Sequence, residues 1–386
     1  MKIVHICTTS EFCEIYAYQE NLLSHYHRML GHDVTIIASI YSRVGYEVTE
    51  PVGERYLSDG VKLIRLAPLF GIKTLDIHLQ MVKGLKQTIL KEQPDLLFVH
   101  AVGCLSYKCF PDIKKKLSNI KIVFDNHADL INSLHSPITK FLHRVVYRYV
   151  LVPSLVKIAN WFYGVTPSRC DFLRDVYGIP ENKIKLLVMG ADDEKMDLEH
   201  RDQLRRELRE SYEISEDDFL IVTGGKIDRL KNIHVLAHAV NTLGCKNVKL
   251  LVFGKINNDV KPLFDEEASD QIITIGWVDS DKVYKYFYAA DLVMFPGLHS
   301  VLWEQAVASK VPCAFSKMDG FEHFNVNDNS ILMTGKDSAD YEKLIKGLLD
   351  NPEKYKELKK NANNPLLEQF YYSNIAKQVL TDVGLE

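Results

Sequence analysis

The sequence lacks the features that mark several large classes of protein. No run of about 18 apolar residues occurs in its 386 positions, so a transmembrane helix is not expected. The formal net charge of -4 supplies no global basic field for binding a nucleic-acid backbone. The seven cysteines are scattered and form no Cys-x-x-Cys pair. An odd number of such cysteines favours a reduced, cytoplasmic setting over a disulfide framework.

Short apolar runs alternate with longer helical patterns in the first half of the chain. Strands are predicted at Ile3–Cys7, Val34–Ala38, Val61–Leu66, Leu96–His100, Ile122–Asp125 and Trp161–Val165. Helices are predicted at Gln19–Leu30, Gly84–Glu92 and His135–Tyr149. This alternation predicts an α/β fold with a mostly parallel, doubly wound sheet.

A second series of the same kind begins after Asp192. Its predicted strands are Phe219–Thr223, Val248–Phe253, Ile272–Ile275, Leu292–Phe295 and Cys313–Phe315. The length also favours two domains. We therefore expect one domain over residues 1–195 and another over 196–365, facing each other across a cleft. The segment 366–386 is expected to be a helix that packs back on the first domain.

A glycine-lysine motif follows the first strand of the second series. Gly224 and Gly225 suggest a tight turn at the strand end, which lets the backbone approach a ligand. Lys226 and Lys231 can flank one anion, and a helix is predicted over Ile233–Thr242. The motif indicates a diphosphate site. A strand-to-helix turn with solvated lysines is the alternative interpretation.

A second candidate lies in the residues after the predicted strand Leu292–Phe295. Ser300 is a good N-cap for a helix, and a helix N-terminus favours an anion. Glu304, one turn inside, can accept hydrogen bonds from hydroxyl groups of a ligand. It lies in an otherwise apolar helix, which favours a functional role over that of a surface carboxylate.

The first domain contributes one further candidate, His127, which follows the strand Ile122–Asp125. Its imidazole can donate a hydrogen bond to a ligand or accept one from it. A capping or interdomain histidine is the alternative. Asp125, Asn126 and Asp129 can cap the residues from Leu130 onward, or support His127.

Several motifs spread from Ile3 to about Gly335 point to one family. They are Gly225–Lys226 with Lys231–Asn232, Gly276–Val278 with Tyr288–Asp291, and Val165–Ser168 with Lys185–Asp192. Together they resemble the retaining glycosyltransferases of the family 4 type, whose GT-B architecture has two facing Rossmann-like domains. The resemblance implies a donor domain that is C-terminal and an acceptor-binding domain that is N-terminal.

The resemblance also implies roles for individual residues. Lys226 and Lys231 would neutralise the donor diphosphate, Glu304 would bind the ribose hydroxyls, and His127 would point toward the donor sugar. Further donor contacts are implied for Gly225, Val278, His299, Ser300, Val301 and Leu302. Two lysines and a helix dipole need no metal ion, so we expect no metal and no cofactor beyond the nucleotide-diphosphate sugar, which is the donor substrate.

The sequence departs from the family pattern in two places. Pro296 occupies the position of the family's first glutamate, so no role is carried over for that residue, and His299 becomes a possible ligand of a sugar hydroxyl. A structural loop histidine is the alternative for His299. The loop Thr8–Cys13 lacks the family's paired glycines, which suggests a different acceptor specificity.

The resemblance implies a metal-independent, retaining hexosyltransferase acting on a glycan or lipid-linked acceptor, in bacterial surface polysaccharide biosynthesis. A sugar-nucleotide epimerase of similar fold and a catalytically silent binding subunit are the alternatives. The segment Ser136–Phe162 mixes basic and aromatic residues, which can rest on anionic lipid. We expect a cytoplasmic protein, with peripheral contact to the inner face of the membrane as a hypothesis and an amphipathic core helix as the alternative.

Overall fold

The computed structural model describes residues 1–9, 12–42, 49–72, 75–76 and 79–386, with side chains except at 131 and 132. Ser10 and Glu11, in the loop where an altered acceptor specificity was expected, lie outside the described residues. The chain divides into two compact units. The first comprises Met1–Met189 and Ile375–Glu386, and the second comprises Gly190–Asn374.

The first unit is built on an eight-stranded sheet with the order β3-β4-β2-β1-β5-β6-β7-β8. Its strands are β1 Lys2–Cys7, β2 Asp33–Ser39, β3 Gly53–Tyr56, β4 Lys62–Leu66, β5 Leu96–His100, β6 Lys121–Asn126, β7 Trp161–Gly164 and β8 Ile184–Leu186. All neighbours pair in parallel except β3, which runs antiparallel to β4. The inner strands are buried and almost continuously apolar, as parallel strands covered on both faces must be.

Helices connect these strands. Those described in the first unit are Gln19–Met29, Leu85–Glu92, Phe110–Lys116, Leu130–Ser133, Pro137–Phe141, Val152–Val156 and Pro167–Asp175, with 3-10 helices at Leu105–Cys109 and Glu181–Lys183. Aromatic side chains fill the space between sheet and helices. The rings of Phe124 and Phe162 stack with centroids 5.0 Å apart, and Phe110 packs on Tyr107 at 4.8 Å.

The second unit has a six-stranded, fully parallel sheet with the order β11-β10-β9-β12-β13-β14. Its strands are β9 Phe219–Ile227, β10 Val248–Ile256, β11 Ile272–Gly276, β12 Leu292–Phe295, β13 Cys313–Ser316 and β14 Ser330–Met333. Its helices are Arg201–Ser211, Ile233–Thr242, Lys261–Glu266, Val283–Ala289, Leu302–Ala308, Ser338–Leu349 and Pro352–Ala362, with 3-10 helices at Asp193–Lys195, Arg229–Lys231, Glu322–Phe324 and Pro365–Phe370. The predicted α/β fold with two mostly parallel sheets is confirmed.

Two predicted helical segments differ in detail. The expected helix His135–Tyr149 starts at Pro137, capped by Ser136, and passes at Leu142 into a π-helix that ends at Leu151. The expected C-terminal helix is interrupted: Pro365–Phe370 is a 3-10 helix, and Tyr372–Val383 follows as the last helix. Within this segment, residues 366–374 belong to the second unit and Ile375–Glu386 to the first. Among the described residues, no helix is long and apolar enough to cross a membrane.

Candidate active site

The paired glycines of the lysine motif lie inside a strand. β9 continues through Gly224 and Gly225 to Ile227 and pairs with β10 along its length. A Cβ atom at Gly224 would lie 2.4 Å from the carbonyl oxygen of Phe253, so glycine lets the two backbones approach this closely. The tight turn predicted directly after Thr223 is therefore wrong, because pairing with β10 keeps the chain extended.

Lys226 follows these glycines and extends its ammonium group into solvent. Its side chain is 73% exposed, and Nζ lies 4.0 Å from Oδ2 of Asp228. An exposed pair at this distance contributes little to stability. Lys226 can therefore turn toward an anionic ligand without breaking a buried contact.

Lys231 is attached to the loop that leads to Glu304. It ends the 3-10 helix Arg229–Lys231, and its Nζ donates to the carbonyl oxygens of Leu298 at 2.5 Å and His299 at 3.1 Å. Burial lowers the pKa of Lys231 from its ordinary value. The structure thus brings Lys231 and the backbone of His299 together across a long stretch of sequence.

Glu304 is completely buried and held by two histidines. Its Oε1 accepts from Nε2 of His299 at 2.7 Å and from Nε2 of His323 at 2.9 Å. Burial acts to raise the pKa of this carboxyl group, but the two histidines outweigh it and lower the pKa to about 2. Within the described part of the chain, Oε2 has no hydrogen-bond partner. The site therefore contains a buried carboxylate with one oxygen held by two histidines and the other without a hydrogen-bond partner among the described residues.

The same three side chains have the composition of a metal site. One ligand atom from each of His299, Glu304 and His323 lies within 4.8 Å of the others. Two N–H groups that donate to one carboxylate oxygen produce the same arrangement. A second candidate for metal binding is the Asp-x-Asp triplet 279–281, in which Asp279 pairs with Lys282 at 2.8 Å on the surface.

The helix that carries Glu304 begins later than expected. It spans Leu302–Ala308, and its N-cap residue is Val301 rather than Ser300. The N-cap role predicted for Ser300 is therefore wrong. Lys231 binds the carbonyl oxygens of the two residues before Ser300, which keeps this part of the chain in a loop and delays the first helical turn.

Pro296 occupies a structural position beside this loop. It is buried, and its carbonyl oxygen accepts from the hydroxyl groups of Ser316 at 2.6 Å and Tyr341 at 3.3 Å. The residue at the place of the family's first glutamate therefore anchors the end of β12 to β13 and to the helix Ser338–Leu349.

Val278, predicted to line a base pocket, lies just after the end of β11 and is half-buried. Its neighbour Trp277 is 73% exposed. An exposed indole offers a flat face on which another planar ring can stack. The sequence-based assignment selected Val278 and missed Trp277, although a tryptophan at a strand end is itself a signal.

In the first unit, His127 follows β6 and faces a buried aspartate. Its Nε2 lies 3.5 Å from Oδ2 of Asp125, and its side chain is 37% exposed while Asp125 is fully buried. Oδ2 of Asp125 also lies 2.8 Å from Nδ1 of His100, and Oδ1 accepts from the N–H of Ala101 at 3.1 Å. Burial acts to lower the pKa of His127, but Asp125 outweighs it and raises the pKa.

Asp125 therefore binds histidines and the N–H of Ala101. Asn126 instead stabilises the following loop, since its side chain accepts from the N–H of Ala128 and donates to the carbonyl of that residue. His5 and His100 were not selected from the sequence. The signal was a histidine inside each of two otherwise apolar strands, β1 and β5.

Two family models match most of the chain. Residues 18–195 match the model described as Glycosyltransferase Family 4, and residues 204–364 match the model described as Glycosyl transferases group 1. An uncharacterized glycosyltransferase of Methanocaldococcus jannaschii is 20% identical over 369 residues, which are 91% of this chain and 89% of the relative.

The fold is similar to that of several solved structures. Sucrose-phosphate synthase from Thermosynechococcus elongatus superimposes with a TM-score of 0.71 at 17% identity, covering 99% of this chain and 98% of the other. HepE from Anabaena in complex with UDP superimposes with a TM-score of 0.69 at 14% identity, with 100% of both chains covered. UDP-GlcNAc 2-epimerase from Neisseria meningitidis bound to UDP-GlcNAc superimposes with a TM-score of 0.62 at 12% identity, again with 100% of both chains covered.

Proposed function

Because this chain belongs to the group 1 glycosyltransferases of the family 4 type, we propose that it transfers a hexose from a nucleotide-diphosphate sugar to a glycan or lipid-linked acceptor. The observation that carries the proposal is the grouping in the second unit of Lys231 with the loop that leads to Glu304. HepE, whose fold is similar, was solved in complex with UDP, which supports a nucleotide donor.

In this proposal the two lysines bind the donor diphosphate in different ways. Lys226 has an exposed ammonium group and moves onto the phosphate oxygens when the donor binds. Lys231 is already fixed by two carbonyl oxygens, so it presents its charge without reorganisation. Charge that is fixed before the reaction stabilises the departing diphosphate, and one such contact is typically worth about 3 kcal/mol of activation free energy.

Glu304 binds hydroxyl groups of the donor, most simply those of the ribose. A carboxylate with a pKa near 2 accepts hydrogen bonds at any physiological pH. His299 and His323 occupy Oε1, so hydroxyl groups bind at Oε2. His299 therefore supports Glu304 through Nε2. Trp277 and Val278 contact the nucleotide base of the donor.

We further propose that transfer retains the anomeric configuration and needs no metal ion. The support is the resemblance of the motifs to retaining enzymes and the presence of two cations where a divalent ion would otherwise balance the diphosphate. The process it would serve is bacterial surface polysaccharide biosynthesis.

A lipid-linked acceptor would be reached at an anionic membrane surface. Ile138, Phe141, Val145 and Tyr149 are exposed and recur every three or four residues, which places them on one side of a helical segment. Exposed Lys140, Arg144 and Lys157 lie in or beside the same segment. An apolar stripe flanked by cations is the pattern that rests on anionic lipid.

The test is a panel of nucleotide sugars, read first as thermal stabilisation and then as product formation with and without acceptor. A ligand present at a hundred times its dissociation constant stabilises a protein by roughly 2.7 kcal/mol. We expect one donor to stabilise the protein and its sugar to reach an added acceptor. Interconversion of the donor without acceptor would identify an epimerase, and binding without turnover would identify a silent subunit; either result overturns the proposal.

A further inference from the structure

Three buried histidines form a continuous hydrogen-bonded chain in the first unit. Nδ1 of His5 lies 3.0 Å from Nε2 of His100, and Nε2 of His5 lies 3.1 Å from Nδ1 of His27. His5 and His27 are fully buried, and His100 is nearly so. We call these three residues the histidine relay. It runs from β5 through β1 to the helix Gln19–Met29.

Both ends of the relay terminate on hydrogen-bond acceptors. At one end Nε2 of His27 lies 3.2 Å from the carbonyl oxygen of Ala376, in the last helix. At the other end Nδ1 of His100 lies 2.8 Å from Oδ2 of Asp125. The pKa of Asp125 is held well below its ordinary value: burial opposes this, but the contacts with His100 and His127 outweigh burial. A carbonyl and a carboxylate can only accept, so both terminal nitrogens carry hydrogen.

These end conditions determine the number of protons in the relay. Each of the two internal N···N contacts needs one hydrogen, and each terminal nitrogen needs one. The relay therefore holds four N–H hydrogens, whereas three neutral imidazoles hold three. One of the three rings is an imidazolium, whose charge balances the carboxylate of Asp125.

The position of that charge follows from burial. Burial is the main cause that lowers the pKa of His27 to about 3 and the pKa of His5 well below its ordinary value. Both rings are therefore neutral at neutral pH. His100 is the ring that contacts the carboxylate of Asp125 directly, at 2.8 Å, so we assign the additional hydrogen to it on this geometry.

Other ionisable groups near the relay do not change this count. Two charged groups act on the pKa of His127 in opposite directions. The carboxylate of Glu20, on the helix Gln19–Met29, raises it, and the guanidinium of Arg169, on the helix Pro167–Asp175, lowers it. The Cys7 thiol on β1 has its pKa raised, mainly by burial, and stays neutral. His32, beyond the end of the same helix, also lowers the pKa of His27.

We propose that the histidine relay positions His127 for the transfer reaction by supplying the proton that neutralises Asp125. The balance of Asp125 by His100 limits the rise that Asp125 causes in the pKa of His127. The neutral ring, which directs Nε2–H toward Asp125 and accepts a hydrogen bond at Nδ1, then stays populated. Without the relay proton, the full charge of Asp125 would act on His127 and make it an imidazolium. His5, His27 and His100 are then positioning residues, far from the surface. The role of His127 rests on the proposed function, whereas the proton count does not.

The first test is direct and needs no substrate. In protein labelled with ¹⁵N-histidine, ring nitrogen shifts at neutral pH report tautomer and charge, with assignment by His5→Gln, His27→Gln and His100→Gln. We expect one buried imidazolium at His100, and neutral His5 and His27 with hydrogen on Nε2. Three neutral rings would overturn the relay.

The second test connects the relay to His127. His5→Leu and His27→Leu each remove a hydrogen-bonding ring from the relay at a different point, and His135→Gln changes an exposed histidine of the same unit outside it. In the interrupted variants we expect the His127 nitrogens to shift to imidazolium values and the acidic limb of the kcat/KM profile to move up by about one pH unit. His135→Gln should leave the His127 shifts and the pH profile unchanged. Unaltered His127 shifts in folded variants would overturn the positioning role, and an enzyme with no transferase activity would still yield the ¹⁵N result.

Discussion

Nε2 of His323 lies 2.9 Å from Oε1 of Glu304, inside the second unit and out of contact with solvent. His323 comes from the 3-10 helix Glu322–Phe324, which follows β13, whereas Glu304 comes from the helix before that strand. His323 and His299 both donate hydrogen bonds to Oε1 of Glu304. The orientation of Glu304 is therefore set before any ligand binds, which is the condition for efficient electrostatic recognition.

This contact makes the contribution of Glu304 to stability dependent on pH. Its pKa of about 2 in the folded protein lies below the ordinary value of 4.5, because the two histidines outweigh burial. A group with a lowered folded pKa stabilises the protein above its unfolded pKa and loses this contribution as the pH falls. We expect Glu304→Gln to lower the free energy of unfolding by on the order of 3 kcal/mol near neutral pH, and by progressively less below pH 4.5. Urea unfolding of both proteins across this range measures the difference; a constant difference would contradict the ion pair.

Lys226→Ala should reduce activity and leave stability nearly unchanged. The side chain is 73% exposed, so its removal should alter the free energy of unfolding by less than about 0.5 kcal/mol. Loss of one diphosphate contact should lower kcat/KM about a hundredfold. Lys356→Ala, at an exposed lysine of the helix Pro352–Ala362, is the matched control and should behave as wild type in both assays. Equal activity of the two variants would remove Lys226 from the site.

Lys231→Ala should lower both the activity and the stability of the protein. Its ammonium group donates to two loop carbonyls, and loss of a charged hydrogen bond typically costs about 1.5 to 3 kcal/mol. We expect a lower unfolding temperature and at least the hundredfold fall in kcat/KM predicted for Lys226→Ala. Donor binding, followed by calorimetry on the folded variant, separates the two effects. If affinity and turnover survive, Lys231 has only a structural role.

Chelation distinguishes the two interpretations of the His299–Glu304–His323 cluster. If the histidines act as hydrogen-bond donors to Glu304, dialysis against a strong chelator should leave turnover and unfolding temperature unchanged. Elemental analysis of the protein before dialysis is the accompanying measurement. Activity that is lost on dialysis and restored by one divalent ion would instead assign a metal site, with this cluster and Asp279 as the first residues to substitute.

Vesicle binding tests the exposed stripe. Phe141→Ser and Tyr149→Ser remove apolar side chains that face solvent, so neither should change the fold. We expect wild type to co-sediment with anionic vesicles, less so at high salt, and both variants to bind more weakly. Leu366→Ser, at an exposed leucine of the second unit, is the control. Absence of wild-type binding to anionic vesicles at low salt would contradict the proposed surface.

Much of the architecture could be predicted from local pattern. β5, β12 and the helix Ile233–Thr242 have the predicted bounds, because each is a regular apolar run between clear breaks. Prediction failed where pairing between distant segments overrides local preference. Gly224 and Gly225 suggest a turn in isolation, yet β10 extends them as strand.

The sequence by itself determined the two α/β units, the family motifs and the candidate residues Lys226, Lys231, Glu304 and His127. The units follow from periodicity, and the candidate residues follow from their places at strand ends and helix starts together with the resemblance to a family. Only the tertiary structure decided what each candidate contacts. The pairing of Glu304 with His323 depends on the packing of a helix against a distant loop, and the histidine relay depends on the order of β1 and β5 in the sheet. Hydrogen bonds of this kind join atoms that are close in space and far apart in sequence, so no local pattern encodes them.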